Sequence, residues 1–270
     1  MKQNKQYYLL IIPVVIICVA FFLLPMVKLL WLSLAEQNGI SYWYILTKPM
    51  YLKSLLSTFL LSFVVTVASL VIATIVGLFL TRYAFRGKSL LVAMLSFPLV
   101  FPGVVIGFFV IMLAGRQGLF AELGLAIVGE RWTLAYSISG LFIGYLYFSI
   151  PRVVLTVMGA AEKLDYNLIE AGRSLGANRW QLLRDVTLPA LTPGLISSGS
   201  ICFATSMGAF GTAFTLATNL NVLPMTIYSE FTLNANFAMA AALSLILGFI
   251  TWLCLTIARR QGGSSLEMGG

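Results

Sequence analysis

The sequence predicts an all-α membrane protein of six transmembrane helices, with one charged helical hairpin left outside the lipid between helices 4 and 5. Three observations predict it. Hydrophobic residues make up 60% of the chain and charged residues 10%, with a mean hydropathy of +0.96, against about 25% charged residues in an ordinary soluble domain. Six stretches of the sequence reach the roughly 20 apolar residues that a helix rising 1.5 Å per residue needs to cross a hydrocarbon core about 30 Å thick. These runs are long and do not alternate, which excludes the strands of a closed barrel, the other structure that satisfies its own backbone in lipid.

The first span, residues 7–34, follows Lys2 and Lys5 as a secretory signal would, but its apolar run is too long and no small-x-small site follows, so it reads as a retained helix. The connection over residues 35–54 carries Tyr42, Trp43 and Tyr44, residues that favour a membrane surface. A second span covers 55–81. The third, 89–114, contains "FPLVFPG", in which Pro98 and Pro102 each remove a backbone donor. It should kink or unwind near mid-membrane, as a packing kink or as a pathway wall that includes Phe101 and Pro102. The fourth span is 135–158. The fifth, 189–215, carries "SSGSICFATSMGAFG", whose small residues allow helices to approach closely. Within it Thr205, Ser206 and Phe210 are candidates to meet a solute. Before the sixth span, 236–258, Glu230 stands in "LPMTIYSEF" on the outward side, either simply solvated or placed to meet a cationic solute. Residues 1–260 make a single transmembrane domain, and the Gly/Ser-rich residues 261–270 are expected to be flexible.

Charge placement supplies the topology. Twelve lysines and arginines fall on the side that holds the N-terminus, the second and fourth connections and the C-terminus, and five fall on the other. Positive residues favour the cytoplasm, so both termini and the fourth connection are expected there. The net charge of +8 therefore reports orientation, and nucleic acid is not an expected partner. The chain has no histidine, and Cys18, Cys202 and Cys254 lie apart within predicted spans. No metal site is expected.

Residues 162–185 hold eight charges: Glu162, Lys163, Asp165, Glu170, Arg173, Arg179, Arg184 and Asp185. At about 2.5–3.5 kcal/mol each near the bilayer centre, this segment stays out of lipid. It nevertheless has the signals of order. Asp165 is placed to cap a helix with Leu168, Ala171 and Leu175 at helical spacing, and Gly176 stands where a left-handed residue ends it. Asn178 caps a second helix, with Gln181 completing a capping box, and Leu188–Pro189 is expected to end it.

The stretch "EAGRSLGANRWQLLRDVTLP" resembles the "EAA" loop of bacterial ATP-binding-cassette importer permeases of type I. Glu170, Ala171, Gly176, Leu188 and Pro189 fall on that pattern, with Gly172 for the second alanine and Val186 for isoleucine. The resemblance implies the permease subunit of a binding-protein-dependent importer in the bacterial inner membrane. It implies that the loop is a coupling helix seated on a separate ATPase dimer, which holds ATP and Mg, with none in this chain. The coupling residues would be Glu170, Ala171, Gly172, Leu175, Gly176 and Ala177, with Glu170 touching the ATPase, Ala171 and Gly172 permitting close approach and Gly176 making the turn. A second, similar permease and an external solute-binding protein complete the assembly. The cargo classes that the resemblance implies are polyamines, aminoalkyl-phosphonates, ferric iron and oxyanions, with the spermidine/putrescine type nearest.

"RGKS" at 86–89 ends like a phosphate-binding loop, but Arg82 stands where that loop needs glycine. The competing reading is a self-contained secondary transporter or channel. Such proteins place ionisable groups inside the membrane, and here Arg152, beside Pro151, is the main example and has room to snorkel. An enzyme would need clustered acid, base or nucleophile, which the spans lack.

Overall fold

The computed structural model describes residues 11–35, 40–216 and 221–267, so Lys2, Lys5 and the start of the first expected span lie outside the described residues. Six helical stretches among the described residues are long and apolar enough to cross a membrane, the third of them Gly103–Val128 rather than the expected 89–114, and the described residues contain no strand. The elements run as α1 (Ile11–Leu34), α2 (Ile40–Thr47), α3 (Pro49–Arg82), α4 (Lys88–Ser96), α5 (Gly103–Ala114), α6 (Leu119–Val128) and α7 (Ile138–Ala161). They continue with α8 (Tyr166–Ser174), α9 (Arg179–Met207), α10 (Phe210–Leu216), α11 (Leu223–Tyr228) and α12 (Phe237–Glu267).

Several boundaries depart from the expectation, each for a local reason. The second crossing begins at Pro49, where proline in the first turn gives up a donor that has no helical partner. The third expected span, 89–114, is broken as its prolines require, and the stretch of crossing length begins after the break, at Gly103. A 3₁₀ turn at Phe97–Val100 follows α4, Phe101 is extended (φ −83°, ψ 136°), and Pro102 (φ −65°, ψ 151°) caps α5. The fifth crossing also breaks: α9 stops at Met207, and α10 starts at Phe210. The Leu188–Pro189 stop is corrected. Leu188 is α-helical (φ −65°, ψ −45°) and donates to the Leu183 carbonyl five residues back, so a π turn at Leu183–Thr187 shifts the hydrogen-bond register next to Pro189 and the helix runs through. Helical backbone in α12 reaches Glu267, into the segment expected to be flexible.

The bundle centres on α3 packed against α7, with α9 lying against both and α12 against α9. Val65, Ala73 and Leu80 of α3 meet a core with Leu141, Val153 and Val157 of α7, all nearly inaccessible. Gly77 sets the spacing, because a Cβ there would stand 2.8 Å from Val157 Cγ1 and 3.3 Å from the Val154 carbonyl oxygen. Helices with no hydrophobic drive to associate in lipid rely on such close approach. At the far end, α3 is pinned by hydrogen bonds from Ser54 to Thr226 (2.7 Å, between the hydroxyls) and from the Leu223 N–H to Thr58 Oγ1 (2.7 Å). By contrast α1 rests on α12 and turns nearly all its apolar surface outward.

Replacing Gly77 with leucine should overpack this contact at a cost of about 1–3 kcal/mol, read as a lower unfolding midpoint of the detergent-purified chain. Gly159→Ala, where nothing lies within 4 Å of the added carbon, should leave the midpoint in place.

Candidate functional site

The hairpin between α7 and α9 is built by short-range bonds. Asp165 accepts from the Asn167 N–H at 2.9 Å and starts α8. Gly176, at φ +84°, ends it in a left-handed turn, with the Ala177 N–H on the Gly172 carbonyl (3.0 Å) and the Gly176 N–H on the Arg173 carbonyl (3.0 Å). This pair of bonds is a Schellman turn. Asn178 and Gln181 then exchange reciprocal 2.8 Å bonds in a capping box that starts α9.

Gly172 has a use the sequence did not reveal. A Cβ there would lie 2.6 Å from Leu182 Cδ2, so the missing side chain lets α8 close on the first turn of α9. Ile169 and Leu182 are buried, whereas Leu168, Leu175 and Trp180 stand out in solvent, Leu175 at 88% exposure. Glu170, Ala171 and Gly176 are exposed beside them, and Ala177 is half-buried. The hairpin is thus locked internally and bare externally. At its root, Leu78 of α3, Ala161 of α7 and Leu191 of α9 form a small buried core with Leu164 and Leu183 against it. Arg82 donates to the buried Thr187 hydroxyl at 3.3 Å.

A second site is an open cavity on the bundle. A cavity of about 350 Å³ is lined by Phe101, Gly103, Phe148, Arg152, Gly208 and Phe210, among others. Both helix interruptions open on it, as expected of non-helical backbone at membrane depth, which survives only against protein or a water-filled space. Side chains stitch the two interruptions to their neighbours: the Tyr145 hydroxyl donates to the Ala209 carbonyl at 2.8 Å, and Thr212 donates to the Gly103 carbonyl at 3.0 Å. Arg152 is half-buried, and a cation in a spanning helix costs about 2.5–3.5 kcal/mol at the centre.

Of the expected pathway residues, Phe101 and Phe210 meet at this cavity. Pro102 is exposed and acts as the cap of α5. Thr205 bonds back to the Ile201 and Cys202 carbonyls (2.9 and 3.0 Å), and Ser206 is fully buried with its hydroxyl unpartnered. Neither lines the cavity. Glu230 is 4% exposed and accepts the Tyr51 hydroxyl at 2.9 Å, so it is neither solvated nor presented to a cation, but ties α3 to the segment before α12. Arg152 was read from the sequence as a residue that snorkels. Its signal was a lone charge beside Pro151 in an apolar span.

Six crossings, interrupted helices bordering one open cavity and an exposed hairpin between the fourth and fifth crossings define a membrane permease. The chain belongs to the family described as binding-protein-dependent transport system inner membrane component, whose model matches residues 73–261. Among its relatives, the sulfate transport system permease protein CysT of Escherichia coli (strain K12) is 33% identical over 198 residues, 73% of this chain and 70% of that protein. The molybdenum transport system permease protein ModB of the same organism is 32% identical over 201 residues, 71% of this chain and 84% of that protein. The fold matches that in a crystal structure of a bacterial ABC transporter involved in the import of the acidic polysaccharide alginate. The TM-score is 0.84 at 15% identity, covering 97% of this chain and 96% of that one. These sequence relatives carry no support for the spermidine/putrescine branch expected above.

Asn178→Ala removes one half of the capping box and should cost the hairpin about 0.5–2 kcal/mol. Trypsin should then cut at Arg173 and Arg179 several times faster in membrane vesicles, while cleavage elsewhere keeps its rate.

Proposed function

We propose that this chain is the permease subunit of a type I importer for a tetrahedral oxyanion of the sulfate or molybdate kind, driven by a separate ATPase. The observation that carries the coupling is the hairpin itself, stiffened at Asp165, Gly176 and Asn178 and yet exposing Leu168, Leu175 and Trp180. Burying one such side chain contributes about 1.5–3 kcal/mol, so an exposed, pre-ordered apolar face favours a protein partner. That partner is the ATPase dimer, which holds ATP and Mg. The hairpin side, rich in arginine, is cytoplasmic, as are both termini, in the bacterial inner membrane. A second, similar permease and an external solute-binding protein complete the importer. The choice of oxyanion among the possible cargoes is supported by the sulfate and molybdenum permeases among the relatives.

In this reading the ATPase dimer closes on ATP and moves the two hairpins it holds. The displacement enters α7 and α9 through the Leu78, Ala161 and Leu191 core. Closed and open motor states then favour different arrangements of the crossings, and the differential contact energy drives the exchange.

Leu175→Arg should release the ATPase from washed membranes, and Glu170→Ala should weaken it, each lowering ATP-dependent sulfate or molybdate uptake by tenfold or more. Uptake that persists with no ATPase present would show a self-contained transporter.

A further inference from the structure

Arg152 belongs to α7 and stands nine residues before its end at Ala161, about 14 Å at 1.5 Å per residue. It therefore lies well inside the crossing. A guanidinium at this depth needs water or a counter-ion. None of the nine acidic residues falls in 49–114, 138–161 or 188–229. The one ion pair among the described residues is the exposed Arg184–Asp185 contact at 3.9 Å. Glu230 is taken by Tyr51. Among the described residues no group accepts a hydrogen bond from the Arg152 side chain, which lines the cavity where both helix interruptions meet.

The cavity suits a small anion. Its volume of about 350 Å³ holds several waters, enough for a tetrahedral oxyanion with part of its hydration shell. Phe101, Phe148 and Phe210 wall it, and apolar walls strengthen the field of the one fixed charge inside. The planar fork of a guanidinium matches two oxygens of such an anion. A polyamine or a metal cation would meet only repulsion here.

We infer that Arg152 contacts the anionic solute inside the permease and selects it against cations. This rests on the oxyanion reading above. The test uses the whole importer in proteoliposomes, with both permeases, the ATPase and the binding protein. Sulfate and molybdate uptake, ATP hydrolysis and the amount of assembled complex are measured separately. Arg152→Gln should lower uptake per assembled complex at least tenfold while hydrolysis stays within twofold, and Arg152→Lys should restore a substantial part. In a chain whose Cys18, Cys202 and Cys254 are serine, the thiol introduced by Arg152→Cys should react with a water-soluble methanethiosulfonate, and molybdate should slow that reaction severalfold. Unchanged uptake per complex in Arg152→Gln would overturn the inference, including the case in which assembly alone falls, which would make Arg152 a counter-ion for a partner chain. An unmodified importer that moves putrescine and no oxyanion would overturn the substrate reading as well, and is distinguished by the parent protein's own uptake.

Discussion

Lipid hydrates neither a charge nor an open backbone group, and that refusal organises this molecule. Regular helix fills the membrane wherever the backbone can close on itself. Where it is interrupted, at residues 97–102 and at Gly208–Ala209, both opened segments border the same cavity. The Tyr145 and Thr212 hydroxyls take up carbonyls near the two gaps. Eight charges between 162 and 185 are held outside, and one, Arg152, is kept inside against the cavity.

The same constraint separates two regions within one chain. The hairpin stands beyond the bundle, yet its root is not loose. Leu78, Ala161 and Leu191 pack at the junction of α3, α7 and α9, and Arg82 holds Thr187 within the π turn of α9. In the proposed coupling, a push on the hairpin reaches the helix that carries Arg152 and the helix that ends at the second interruption. The tight α3–α7 contact across Gly77 gives the bundle a firm wall for that motion. Cores of this kind shift between discrete packings rather than deform smoothly.

Local chemistry was legible in the sequence. The Asp165 cap, the left-handed Gly176 and the Asn178–Gln181 box each involve residues at most five apart, and all three stand where the sequence placed them. The break at Pro98–Pro102 was legible for the same reason. The stop at Gly208 was not, because glycine, alanine and serine suit helix packing as well as helix ends. Nor was the π turn that carries α9 past Pro189, since it depends on a register shift rather than on residue type. Glu230 was misplaced because its partner, Tyr51, is 179 residues away. Arg152 looked like an isolated cost until the fold set it beside two interruptions.

The central claim is that an ordered hairpin on the cytoplasmic face passes work to this bundle from another protein. It is tested most directly by the accessibility of a single thiol at position 175, introduced as Leu175→Cys in a chain without its native cysteines. In oriented vesicles the thiol should react with a membrane-impermeant maleimide from the cytoplasmic side alone, and assembly with the ATPase should protect it. Reaction from the outer side, or full reactivity in the assembled complex, would contradict the account.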